Sequence, residues 1–219
     1  MVGRHLMTAA ALLLSTTSTA TAQSTARPAA EARIPDLTAA TGLIRVPSAY
    51  IQSADTVSIF GAALPHTAFG GAVLGIANRV EAGAASRDVD IDGNRVIGTA
   101  KVNLLPEQLL RPAISIGVID QSRYIVVSKF VIPYFVEAVT GRKHLALKLH
   151  GGYGDGLFRR TALGGVEVVA DGGISLIAEV AGGHGSGGVR YVHGAWSATA
   201  SMLDSRNAAG IVSYALKLR

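Results

Sequence analysis

The sequence contains no cysteine, which excludes a disulfide framework and any thiolate metal site. Aromatic residues are scarce, at 5% with a single Trp, and charged residues make up only 16% of the chain. No stretch past the N-terminus is apolar enough for a spanning helix. The best candidate, Tyr124 to Val139, is broken by Ser128, Lys129, Pro133 and Glu137. The net charge of +5 is mild and scattered, without the basic stripe and interleaved aromatics of a nucleic-acid binder, so nucleic acid is not expected as a partner. There is no G-x-S-x-G nucleophile motif. The histidines show no metal-ligand spacing, and His144 and His150 stand three side-chain steps apart on one strand face, too far to chelate together. No cofactor and no metal are implied.

What remains is strand chemistry. From about Thr56 to Leu218, apolar side chains occupy one parity and small or charged ones the other, and the alternation restarts after each Gly, Asp or Asn cluster. Leu145, Leu147 and Leu149 share one face while His144, Lys148 and His150 share the other. At the end of the chain Val212, Tyr214, Leu216 and Leu218 alternate with Ser213, Ala215, Lys217 and Arg219. Strands are expected near 56–64, 69–77, 79–86, 95–104, 113–119, 123–132, 143–151, 161–169, 174–181, 188–193, 196–203 and 210–218. Most approach the roughly 9 to 11 residues that a tilted strand needs to cross a bilayer. Asn78-Arg79, Asp120-Gln121-Ser122 and Asp171-Gly172-Gly173 read as tight turns. Glu107 to Arg111, between two prolines, and Tyr134 to Val139 could each form a helical turn.

Arg4 and His5, the apolar run Leu6 to Leu14 and Ala20-Thr21-Ala22 make a signal peptide over 1–22. An Ala-, Thr- and Pro-rich linker over 23–40, extended and poorly ordered, should follow, with a barrel domain over 41–219.

Gly42-Leu43-Ile44-Arg45-Val46-Pro47-Ser48-Ala49 resembles the opening motif of the YjbH-like family of envelope proteins. Lys101 to Glu107, Pro112 to Asp120 and Tyr124 to Lys129 resemble its central block. Gly164-Gly165-Val166-Glu167, Glu179 and Gly188-Val189-Arg190-Tyr191 are similar to its later part. The resemblance implies an outer-membrane β-barrel associated with exopolysaccharide production.

Single charges interrupt the strand-like segments at Glu81, Lys101, Lys129, Lys148, Glu167, Glu179, Arg190 and Lys217. In lipid their cost would be prohibitive, so in a barrel they should face the lumen and neutralise one another, or handle a charged polymer there. Glu167 and Glu179 should each lie within reach of one of these bases. Gly83, Gly117, Gly165 and Gly188 would leave room for the long side chains. The same two glutamates are the only pair that suggests a glycosidase acid and base. Asp88, Asp90 and Asp92 open like a calcium loop, but position twelve is Thr99, so a solvated hairpin is the simpler reading and weak calcium binding the alternative. Gly183 to Gly188 satisfies G-x-G-x-x-G through glycine content, with strand rather than helix following.

Together these features predict an antiparallel up-and-down barrel of about twelve strands in the outer membrane, non-catalytic, serving exopolysaccharide export or surface assembly. Its partners would be outer-membrane lipid and polysaccharide or envelope export proteins. The alternatives are a soluble periplasmic β module and a small barrel enzyme acting on lipid or glycan.

Overall fold

A computed structural model describes residues 33–65, 67–87, 95–131 and 146–218. The signal peptide, the linker up to residue 32, the Asp88, Asp90 and Asp92 loop, the turn at Tyr134 to Val139, His144 and Leu145 lie outside the described residues. Twelve strands form one closed antiparallel barrel. They are β1 (Thr56–Leu64), β2 (Thr67–Ala77), β3 (Val80–Arg87), β4 (Arg95–Leu105), β5 (Ala113–Ile119) and β6 (Ser122–Val131), followed by β7 (Ala146–Gly154), β8 (Thr161–Val169), β9 (Ile174–Ala181), β10 (His184–His193), β11 (Trp196–Leu203) and β12 (Asn207–Lys217). Each pairs with its neighbour in sequence, and β1 closes on β12 with Ile59 opposite Tyr214. The end carrying Thr56 and Lys217 is called the base and the opposite end the rim.

Closure follows from the pattern. An open sheet with one apolar and one polar face leaves two edges unpaired, and a barrel removes both while sending each face to its own solvent. The apolar parity points outward: Leu149, Leu176 and Val212 are 44%, 58% and 51% exposed. Their inward neighbours Lys148, Ser175 and Ser213 are buried. That outer surface is what a bilayer requires and what a soluble module cannot carry in water. At the base, Tyr191, Trp196 and Tyr214 stand exposed or half-buried on β10 to β12, with the Trp196 and Tyr214 rings 4.6 Å apart. They form one arc of an interfacial aromatic belt. The chain is therefore an outer-membrane barrel, and the soluble periplasmic reading does not hold.

An arginine at Leu149, within this apolar band, is expected to cost about 2–4 kcal/mol near the bilayer midplane. Urea unfolding of the vesicle-embedded barrel checks the value. A cost near zero would show that this face does not meet lipid.

Three local expectations change. β10 begins at His184 rather than near Gly188, because the glycine-rich stretch pairs with β9 from His184 and with β11 from Ser186 despite giving no alternation to read. Glu107 to Arg111 is a loop closed by the Gln108 N–H on the Arg111 carbonyl at 2.9 Å, not a helical turn. Residues 34–40, expected at the end of a flexible linker, are folded back inside the barrel, where Ile34, Asp36, Ala39 and Ala40 are buried.

Candidate functional site: a plugged lumen

The segment from Ile34 to Gln52 fills the barrel. It contains no strand of its own, only isolated bridges from Pro35 to Thr41 and from Gly42 to Pro47. Proline and glycine supply the turns, and the chain doubles back twice. Leu37 N–H donates to the Ile44 carbonyl at 2.8 Å, and Leu43 N–H to that of Val46 at 2.9 Å. Leu43, Ile44, Val46 and Ala49 are almost wholly buried and pack on inward wall residues including Tyr124, Val126, Leu163 and Ile177. A segment with so little internal pairing leaves many backbone groups unsatisfied, and inside a barrel only wall side chains can satisfy them.

The charged wall residues do this. Glu81, on β3, accepts the Thr41 N–H at 2.9 Å and the Gln52 N–H at 2.7 Å, and pairs with Lys101 at 2.8 Å. Lys101, directly across on β4, donates to the Thr41 and Ser48 carbonyls, both at 3.0 Å. Glu179, on β9, accepts three consecutive N–H groups at the plug's tip, from Ile44 at 3.0 Å, Arg45 at 2.8 Å and Val46 at 3.1 Å. Arg190, on β10, donates to the Gly42 and Leu43 carbonyls and meets Glu167 at 3.3 Å. Lys148 meets the same Glu167 at 3.0 Å from the opposite position on β7. Neutral wall groups complete the grip. The Asn103 amide and the Ser115 hydroxyl both donate to the Ala49 carbonyl, at 2.9 and 2.7 Å, and the Ala49 N–H donates to Ser128 at 2.8 Å.

Six of the eight charges read from the sequence thus converge on the lumen: Glu81, Lys101, Lys148, Glu167, Glu179 and Arg190. Two do not. Lys129 follows the inward Ser128, so its side chain leaves on the outer parity and curls at the base onto the Gln108 and Leu109 carbonyls at 2.6 and 2.7 Å, with Glu107 at 3.3 Å. Lys217 lies at the end of β12, exposed at the base. Glu179 also departs from expectation. Its partners are the plug's backbone and, at 3.9 Å, Arg45, rather than any of the wall bases. Neither Glu167 nor Glu179 faces space for a substrate, since the plug occupies the lumen between them.

Two of the four glycines read from the sequence, Gly83 and Gly165, make room for the plug rather than for long side chains. A Cβ at Gly83 would strike the Ala39 carbonyl, and one at Gly165 the Leu43 side chain. Gly117 instead accommodates the Tyr124 ring, and Gly188 the neighbouring strand β11.

The plug brings a buried acid of its own. Asp36 caps the first turn through the Thr38 N–H at 2.7 Å, while its second carboxylate oxygen has no hydrogen-bond partner. Burial raises this carboxyl from 3.8 to about 7, opposed by the bonds from Thr38 and by the charge of Lys101. Asp36 belongs to the plug and not to a spanning strand. An acid with a raised folded-state pKa is stabilising where it is protonated, so its contribution is complete below 3.8 and disappears as pH rises through about 7. Plug retention is expected to strengthen on acidification across that window, and Asp36→Asn to flatten the dependence. Proteolytic protection of residues 34–52 at a series of pH values measures it.

Arg45, Asp36, Thr41 and the whole of the plug's contact surface carried no periodic signal in the sequence. The available hint was the turn-forming set Pro35, Gly42 and Pro47 just ahead of strands with inward charges.

No family model matches the sequence, and no curated protein matches it. Among solved structures the chain is similar to a KdgM porin in complex with disordered oligogalacturonate, at 11% identity and a TM-score of 0.49 over 75% of this chain and 99% of that one. It is also similar to a KdgM porin structure at 11% identity and a TM-score of 0.47 over the same shares.

Proposed function

We propose that this chain is a plugged, non-catalytic outer-membrane barrel of the YjbH-like kind, serving export or surface assembly of an exopolysaccharide. The observation that carries the proposal is where the resembling motifs lie in space. Gly42 to Ala49 forms the plug's tip. Lys101 and Asn103, Ser128, Glu167, Glu179 and Arg190, drawn from the other resembling segments, are the wall residues that grip the plug or brace that grip. A sequence pattern spread over most of the chain therefore corresponds to one mechanical unit, a stopper and its socket.

The non-catalytic part of the proposal rests on the carboxylates. Glu81 and Glu179 are saturated by plug N–H groups, and Glu167 by two cations. A group held this way is poorly placed to exchange protons with a substrate. Transport through the lumen needs the plug to move, and a plug held by hydrogen bonds rather than a continuous ladder can leave without dismantling the barrel.

In planar bilayers the intact protein is expected to conduct little, and a variant lacking residues 36–52 to give discrete pores. In cells, loss of the protein should lower surface or secreted polysaccharide. Unchanged polymer on removal of the gene would overturn the export role, and high conductance of the intact protein would overturn the plugged state.

A further inference from the structure

Above the plug, at the rim, the lumen opens into a cavity of about 500 Å³, within the size range of small-molecule sites. Leu37 of the plug forms part of its floor, and Leu64, Phe69, Ile97, Phe158 and Leu203 line its wall. The lining is mainly apolar, and Thr38, Thr67 and Asn207 are few against the many hydroxyls of a sugar, whose burial without hydrogen bonds costs several kcal/mol. It suits an aliphatic body.

The cavity's charged side chains are Arg45, Arg159 and Asp204, with His184 beside them, while Thr38, Thr67 and Asn207 add neutral polar groups to the lining. Arg45 is neutralised by Asp204 at 3.0 Å. Among the described residues Arg159 has no carboxylate partner: its Nη1 meets Nε2 of His184 at 3.0 Å, a neutral acceptor when the ring proton sits on Nδ1, which faces Asp204 at 3.6 Å. The backbone holds Arg159 there at a cost. Arg159 and Arg160 are both in the left-handed region, with φ of 56° and 55°, where non-glycine residues are uncommon and strain gathers at ligand clamps. Phe158 anchors the turn, buried edge-on to Tyr124 with ring centroids 5.9 Å apart. A cation held at the mouth of an apolar cavity, with a histidine rather than a carboxylate beside it, is set to receive an anion from outside the protein.

We propose that the rim cavity binds a small amphiphile with one anionic headgroup, its aliphatic body against the Leu64, Phe69 and Ile97 wall and its carboxylate or phosphate on Arg159. This site is independent of the polysaccharide role, and it belongs to the state in which the plug is in place, since Leu37 and Arg45 help to line it.

The test uses the full protein in lipid nanodiscs, with empty nanodiscs subtracted, and equilibrium dialysis of four probes: decanoate, decyl phosphate, 1-decanol and decyltrimethylammonium. Decanoate and decyl phosphate should saturate one site and bind about tenfold more tightly than decanol, as one charge-assisted pair provides, with the cationic probe weakest. Arg159→Gln should erase the preference for the anions while leaving decanol unchanged. Ala85→Phe, which fills the cavity from its wall, should remove binding of all probes. Arg159→Gln alone decides the matter if Ala85→Phe fails to fold. Binding of decanol equal to that of both anions, no saturable binding of either anion, or an unchanged preference in Arg159→Gln would each overturn the proposal. A decyl phosphate response without a decanoate response would restrict the headgroup to phosphate.

Discussion

Replacing Glu81 with Ala is expected to destabilise the closed state by about 3–5 kcal/mol, because it removes the one carboxylate in salt-bridge contact with the buried Lys101 ammonium among the described residues, leaving Asp36 to act on it only at longer range. Both side chains are 1% exposed, and they stand opposite one another on β3 and β4 at 2.8 Å. The same substitution removes the acceptor for the Thr41 and Gln52 N–H groups. The expected reading is earlier urea unfolding in vesicles together with frequent channel openings in bilayers. Lys101→Met in the Glu81→Leu background separates the two contributions. With no charge left to bury, most of the barrel's stability should return, while openings persist because the plug has still lost its anchor. If Glu81→Ala alone is neutral by both measures, the ion pair does not hold the plug.

Glu179→Ala is expected to act on the plug's tip with comparable force but by a different route. Here no cation is stranded. Three N–H groups, at Ile44, Arg45 and Val46, lose their acceptor in a buried site, at about 1–3 kcal/mol for each donor left unsatisfied. Glu179→Gln should be milder, since one amide oxygen can still accept while the amide nitrogen faces a donor it cannot satisfy. The graded order wild type, Gln, Ala in conductance, with heat-modifiable gel mobility retained throughout, is the outcome that identifies Glu179 as a plug clamp. Equal effects of Gln and Ala would instead point to loss of the Arg45 contact.

Both variants follow from contacts that differ greatly in how they could be read beforehand. The alternation of Leu147, Lys148 and Leu149 is a local consequence of the pleat, in which successive side chains take opposite faces, and it determined without further information that there are strands and which face is apolar. The apolar excess on one parity fitted either a soluble sheet or a membrane barrel, and closure of the twelve strands with that parity outward decides for the barrel. Lys148, Glu167 and Arg190 were legible as inward charges for the same reason. Lys129 was misplaced because it neighbours an inward serine, and a single charge next to a single small polar residue does not reveal which of the two takes the inner face.

What the lumen contains was settled only in three dimensions. The plug has no period, little internal pairing and ordinary turn residues, so nothing in residues 34–52 alone marks it as buried. Its backbone is satisfied by side chains far along the chain, with Thr41 held by Glu81 across 40 residues and Ile44 by Glu179 across 135. Local patterning fixes which way a side chain points. Which group it meets depends on barrel closure, because only then do β3, β4, β9 and β10 face the same enclosed volume and the same folded loop.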